Sequence, residues 1–173
     1  MRTRDMVAAA IFVALTAVVT RYTAVPIPAT RGFFNLGEVV IYVAAIVYGP
    51  LVGMLAGGVG SALADVWAQA PYYAPFTLVI KGIEGYVVGR LAGSTGASRL
   101  RATLMGGALM VVGYFLAQTF FARSLGIAPT SGTAATAALA ELPFNVVQVV
   151  IGIVVALLVT ARVPRAVMER PGR

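Results

Sequence analysis

Tyr72 to Gly85 reads YYAPFTLVIKGIEG. Lys81 and Glu84 stand three residues apart inside a stretch otherwise apolar enough for a lipid bilayer. Charge at membrane depth costs several kcal/mol unless it is paired or lines a wet cavity. Residues three apart share a helix face, so Glu84 is the expected partner of Lys81. The stretch therefore reads as a membrane helix with a working charge, in a small integral membrane protein that holds a polar solute.

Composition agrees. The chain has 173 residues, 60% of them hydrophobic and only 11% charged, with a mean hydropathy of +0.91. A soluble domain carries about 25% charged residues. The chain has neither cysteine nor histidine. That excludes disulfides, thiol chemistry and a histidine-ligated metal. The pI of 10.4 would suit nucleic acid, but the positive residues collect at helix ends, where membrane topology wants them. No nucleic-acid partner, metal or cofactor is expected.

Breakers and charges divide the chain into one membrane domain, residues 1–173, an all-α bundle of six spans. The spans are read at about 6–20, 36–48, 51–67, 76–91, 103–122 and 142–161. About 20 residues cross the hydrocarbon core. The second span, closed by Gly49 and Pro50, is too short to cross unaided. With a cytoplasmic N-terminus, the inner side holds nine arginines (Arg2, Arg4, Arg90, Arg99, Arg101, Arg162, Arg165, Arg170 and Arg173). The outer side holds three, Arg21, Arg31 and Arg123. This asymmetry predicts both termini in the cytoplasm of a multi-pass cell-membrane protein. Met1 to Thr20 lacks a convincing cleavage site and is read as a span rather than a signal peptide.

The outer segments are unusually apolar. Arg21 to Asn35, RYTAVPIPATRGFFN, is made irregular but stiff by its prolines and glycine. Ala68 to Pro75 carries two tyrosines and no charge, and Arg123 to Ala140 is rich in Gly, Ser, Thr and Ala. Phe33, Phe34, Trp67, Tyr72 and Tyr73 fit either an interfacial aromatic belt or a lid folded over an outer mouth.

Gly53 and Gly57 form a GxxxG, extended by Ser61 and by Gly60 with Ala64. Small residues at this spacing let helices approach closely in lipid. Ala10 and Ala14 form an AxxxA in the first span. On spacing alone it reads as a contact within this protein.

The candidate site is drawn from the intramembrane polar residues. Glu38 lies on the second span, Asp65 on the third, and Lys81 and Glu84 on the fourth. Glu141, Asn145 and Gln148 share one face of the sixth at i, i+4 and i+7. Their common depth suits a ligand site, while the plainer alternative is interhelical glue worth about 0.6 kcal/mol per pair. No nucleophile–base pair with histidine and no phosphate-binding GxxxxGK[ST] loop is present, so the chain is not read as an enzyme and does not itself bind ATP through a P-loop.

These features resemble the substrate-binding S component of an energy-coupling factor (ECF) transporter, in its riboflavin-type branch. The resemblance rests on six spans in this length, on the AxxxA, and on the runs FNLGEVVIYVAAIVYGPLVGMLAGGVGSALAD (Phe34–Asp65) and APFTLVIKGIEGYVVG (Ala74–Gly89). It implies a vitamin or vitamin precursor captured near the outer face, under the loop after the first span and between the last three. Aromatic and polar groups together suit a flat heteroaromatic ring. It further implies a transmembrane coupling subunit and two ATPase subunits as partners, with Ala10 and Ala14 facing the coupling subunit rather than this chain's own helices. The histidine-dependent nickel and cobalt branch is excluded. Two other classes remain open from the residues: a stand-alone proton-coupled transporter using Glu38, Asp65 or Glu84, and a ligand-free membrane assembly protein.

Overall fold

Apolar side chains cover much of the outside of this molecule, and a set of polar and charged ones is buried within its apolar core. In the computed structural model, residues 2–27, 32–122, 124, 131–164 and 168 are described. Helix α1 spans Thr3–Tyr22 and leads into a two-stranded antiparallel hairpin, β1 (Val25–Ile27) and β2 (Gly32–Phe34). Then follow α2 (Gly37–Tyr48), α3 (Pro50–Trp67), α4 (Ala74–Leu91), α5 (Gly96–Phe120) and α6 (Ser131–Arg162).

Local chemistry sets several of these limits. Gly49 has φ 93° and ψ −170°, a region open essentially to glycine alone. Pro50 then starts α3 at a position where its missing N–H costs nothing. Within α3, Ala56–Gly60 makes one π-helical turn. A Cβ on Gly57 would collide with the carbonyl of Lys81, so the GxxxG seam does bring α3 against the backbone of α4.

The helices close into a ring in the order α1, α2, α6, α5, α4, α3, and back to α1, with α2 also reaching α4. Helix α2 is the centre of the packing. At 12 residues it is about 18 Å long, short of the ~30 Å hydrocarbon core. Nine of its residues are nonetheless buried, because its neighbours surround it. Outward faces are apolar: Val7, Ile11, Leu15 and Val18 on α1, Met105, Leu109, Val112 and Leu116 on α5, and Val147, Val150 and Val154 on α6 are all exposed. Glu38, Asp65, Lys81, Glu84, Gln118 and Gln148 are buried. That inversion is the arrangement a bilayer selects.

Among the described residues, four helices are long and apolar enough to cross a membrane: Thr3–Tyr22, Pro50–Trp67, Gly96–Phe120 and Ala134–Arg162. Helix α2 is apolar but shorter, and α4 carries Lys81, Glu84 and Arg90. Apart from α2, which matches its expected length to within a residue, the helices exceed the lengths expected from sequence, most of all the last one. Arg123 to Ala140 reads as a loop, yet the chain is helical from Ser131. Five alanines between Ala134 and Ala140 favour the helix strongly, and Pro143 sits inside it. Helix α5 likewise starts at Gly96 rather than near 103, with the Thr95 side chain accepting from the Ser98 N–H. Arg31, Arg123, Arg165, Arg170 and Arg173 of the charge pattern lie outside the described residues.

Candidate ligand-binding site

A polar cavity lies beneath the hairpin. Its walls come from Thr20 on α1, Gly32, Phe33 and Asn35 of the hairpin and its exit, Ser61 and Asp65 on α3, Tyr73, Thr77 and Lys81 at α4, Met110 and Tyr114 on α5, and Glu141, Asn145 and Gln148 on α6. About 450 Å³ of atom-free space lies between these walls, mouth included, of which about 40 Å³ admits the centre of a water molecule.

Helical spacing explains the convergence. On α6 the inward stripe runs through Ala134, Ala138, Glu141, Asn145, Gln148, Gly152 and Ala156. The polar trio occupies its middle. Ser61 stands one turn before Asp65, and Thr77 one turn before Lys81, so each pair faces the same way. The hairpin closes the top. A Cβ on Gly32 would stand 2.8 Å from Glu141 Oε2, so the strand lies directly on that carboxylate, and a larger residue there would push it aside.

Lys81 anchors a buried chain of polar contacts. Its ammonium pairs directly with Glu38 of α2. Glu84 Oε2 is 3.6 Å away, so the nearer partner is the one contributed by a different helix. Glu38 Oε1 accepts from Gln148 Nε2 at 2.9 Å, and Gln148 Oε1 accepts from the Asn35 N–H at 2.8 Å. At the other end Tyr42 donates its hydroxyl to Glu84 Oε1 at 2.8 Å. The end of the hairpin is thus wired through Gln148 and Glu38 to Lys81. A second chain runs from the Tyr114 hydroxyl to Thr77 Oγ1, 2.9 Å, and from Thr77 to the Asp65 carboxylate. The Lys81 ammonium also lies 5.9 Å from the centre of the Tyr114 ring, within reach of a cation–π contact.

Of the residues singled out from sequence, Lys81, Asp65, Glu141, Asn145, Gln148, Phe33 and Tyr73 stand on the wall. Glu38 and Glu84 do not line the cavity; both are fully buried and act through Lys81. Phe34 and Tyr72 also stand off the wall, with Tyr72 packed on Tyr73 at 5.4 Å between ring centres. Trp67 is half exposed and meets Tyr22 edge-on at 5.6 Å, as belt residues do. Sequence reasoning missed Thr20, Gly32, Asn35, Ser61, Thr77, Met110 and Tyr114. The one-turn spacing to Asp65 and Lys81 was a usable signal for Ser61 and Thr77. Ala10 and Ala14 are exposed on the outer face of α1, while Ala8, Ala9 and Ala17 are buried. The AxxxA is therefore not buried against this chain's own helices.

Among the described residues no group of acidic side chains could hold a metal ion. Among the described residues the site offers hydrogen bonds, the Lys81 ammonium, the carboxyl groups of Asp65 and Glu141, and aromatic faces. Such groups can hold a small polar molecule by hydrogen bonds and charge.

Comparison with known proteins gives a consistent result. A family model described as ECF-type riboflavin transporter, S component, matches residues 1–165. The thiamine precursor transporter HmpT of Lactococcus lactis subsp. cremoris is 34% identical over 157 residues, which are 90% of this chain and 85% of that one. An uncharacterized protein of Pyrococcus woesei is 52% identical over 99 residues, 56% of this chain and 66% of the relative's length. Among solved structures, the S component of a bacterial ECF transporter aligns with a TM-score of 0.76 at 15% identity, covering 98% of this chain and all of that one. FolT bound with folic acid aligns at 0.68 and 15% identity, with 95% of each chain covered. These two structures speak for the fold.

Proposed function

Since the chain belongs to the family of S components of ECF-type riboflavin transporters, we propose that it captures a vitamin or vitamin precursor, a flat heteroaromatic molecule, in the cavity beneath the hairpin. It delivers that ligand across the cell membrane together with an ATP-driven energizing module, made of a transmembrane coupling subunit and two ATPase subunits. The helices cross the membrane six times with both termini in the cytoplasm, which puts the hairpin and the cavity at the outer face.

The observation that carries this reading is the cavity itself. Eleven polar or ionisable side chains line one cavity in a protein whose outer surface is largely apolar. Interhelical glue would pair these groups with one another and leave no space between them. In this reading Lys81 and Asn145 meet the ligand, with Gln148, Glu141 and Asp65 around it and Phe33 and Tyr73 against its ring. Glu38 and Glu84 hold the Lys81 ammonium in place. Exposed Ala10 and Ala14 form a flat strip for close approach of a helix of the coupling subunit.

Reconstitution tests the reading. The chain is placed in vesicles with and without an energizing module, and uptake of radiolabelled thiamine, pyridoxine, riboflavin and folic acid is followed. Uptake of one of them that needs both the module and ATP is expected. Uptake driven by a proton gradient with no module present would replace this reading with a stand-alone transporter.

A further inference from the structure

A buried cation stands at the end of the bundle opposite the hairpin. Arg99, near the start of α5, is only 9% exposed. Its guanidinium donates from Nε to Gly93 O at 3.4 Å, from Nη1 to Thr160 O at 3.1 Å, and from Nη2 to Ser94 O at 3.3 Å and Met168 Sδ at 3.4 Å. All four acceptors are neutral, and only the bond to Thr160 falls in the usual range of about 2.7–3.2 Å. A guanidinium has five N–H donors, so one hydrogen on Nη1 has no acceptor among the described residues. Both ion pairs among those residues belong to Lys81. The acid described at this end is Asp5, which accepts from the Arg2 N–H. The dipole of α5 works against a cation near its start, and no acid stands in that turn. The carbonyl end of α6, through Thr160, offsets only part of the charge. Burying a charge without a counter-ion is costly, and an anion from outside would remove that cost.

There is room for one. Arg99 lies on the wall of a groove between the start of α5 and the end of α6, with about 870 Å³ of atom-free space, mouth included. Ser94 and Thr160 are its other polar walls, and Leu100, Leu157 and Val163 give it an apolar side. The helices end here, which puts the groove at the depth of lipid headgroups. Arg101 and Arg162, both exposed, follow closely on its lining residues in sequence. We infer that the groove seats the phosphate of an anionic membrane phospholipid. The Arg99 guanidinium meets the phosphate, and the glycerol and upper chains lie along Leu100, Leu157 and Val163. A guanidinium suits paired phosphate oxygens, and the two long contacts of Nη2 are the ones a phosphate would replace. Basic pockets between membrane helices take such headgroups. A soluble phosphate would use the cation and leave the apolar side uncovered. The inference is independent of the vitamin reading and needs only that the helices span a bilayer.

The test compares two lipids that differ at the phosphate. Phosphatidylglycerol and a diacylglycerol with the same chains are titrated into the detergent-solubilised full chain, and bound lipid is counted by native mass spectrometry. Phosphatidylglycerol should bind at least about fivefold more tightly, the worth of one basic residue at an anionic headgroup. Arg99→Gln keeps an amide donor without the charge and should erase the difference. Arg101→Gln removes an exposed arginine that donates to the Ala97 carbonyl of its own helix, and should keep the difference. Equal binding of the two lipids to the unaltered protein would overturn the inference, and needs no variant to fold. An equal loss in both variants would overturn it as well, since the attraction would then belong to surface charge at large. Glycerol 3-phosphate binding as tightly as phosphatidylglycerol would give the groove to a soluble phosphate instead. If Arg99→Gln keeps the lipid preference but no longer copurifies with a coupling subunit, the occupant is an acidic segment of that subunit and the lipid assignment falls.

Discussion

Lys81 is the residue on which the site turns. Its charge is buried between two carboxylates, and removing one member of such a cluster leaves the others uncompensated. Breaking a buried pair in this way costs about 3–5 kcal/mol. Lys81→Met should therefore lower the melting temperature of the detergent-solubilised protein sharply. Adding Glu38→Gln should recover more of that loss than adding Glu84→Gln, because Glu38 makes the direct ion pair. Equal recovery by the two second changes would mean that the lysine favours neither acid. Sequence reasoning found the lysine and both acids, and its local pair with Glu84 is present at 3.6 Å, but it did not see the pair with Glu38. The i, i+3 spacing is visible in the chain, whereas the pairing with Glu38 exists only once α2 has packed between α4 and α6. Ser61, Thr77 and Tyr114 escaped for another reason. Hydroxyl side chains are ordinary in membrane helices; a one-turn offset from a charged residue marks Ser61 and Thr77, and nothing comparable marks Tyr114.

At the scale of elements, legibility followed the strength of the local signal. The break at Gly49 and Pro50 was plain, as was the small-residue seam of α3. The hairpin was not, because three-residue strands are too short to show any alternation. The start of α6 was misread because Gly, Ser and Thr around its first turn looked like loop, although the alanines that follow outweigh them. The AxxxA of α1 could not be placed by spacing alone. Its exposure in the folded chain is what the proposed contact with a coupling-subunit helix requires. Ala10→Trp should therefore abolish copurification of the chain with a coupling subunit while leaving ligand affinity unchanged, since α1 gives only Thr20 to the cavity wall. A pull-down alongside titration checks both halves. Loss of ligand binding together with assembly would show that the substitution disturbs the bundle instead.

For the whole molecule, the fold class was legible because composition alone forbids a water-soluble surface. The direction of the bundle rests on its arginines. The chain has no cysteine, so single cysteines report cleanly. In intact cells Gln69→Cys, on the exposed turn after α3, should react with a membrane-impermeant thiol reagent. Ala97→Cys, at the exposed start of α5, should react only after the cells are opened. Labelling of Ala97→Cys from outside would invert the topology and put the cavity on the wrong side for capture.

The existence of a bound ligand is the claim on which capture and delivery both depend. Its most direct measurement is the mass spectrum of what the purified protein releases on denaturation, after expression in cells supplied with vitamins. One small heteroaromatic molecule per chain is predicted for the unaltered protein, with much less from Asn145→Leu, where a buried polar contact worth about 1–3 kcal/mol is lost. Release of no small molecule, or of equal amounts from both proteins, would contradict a ligand held in the cavity beneath the hairpin.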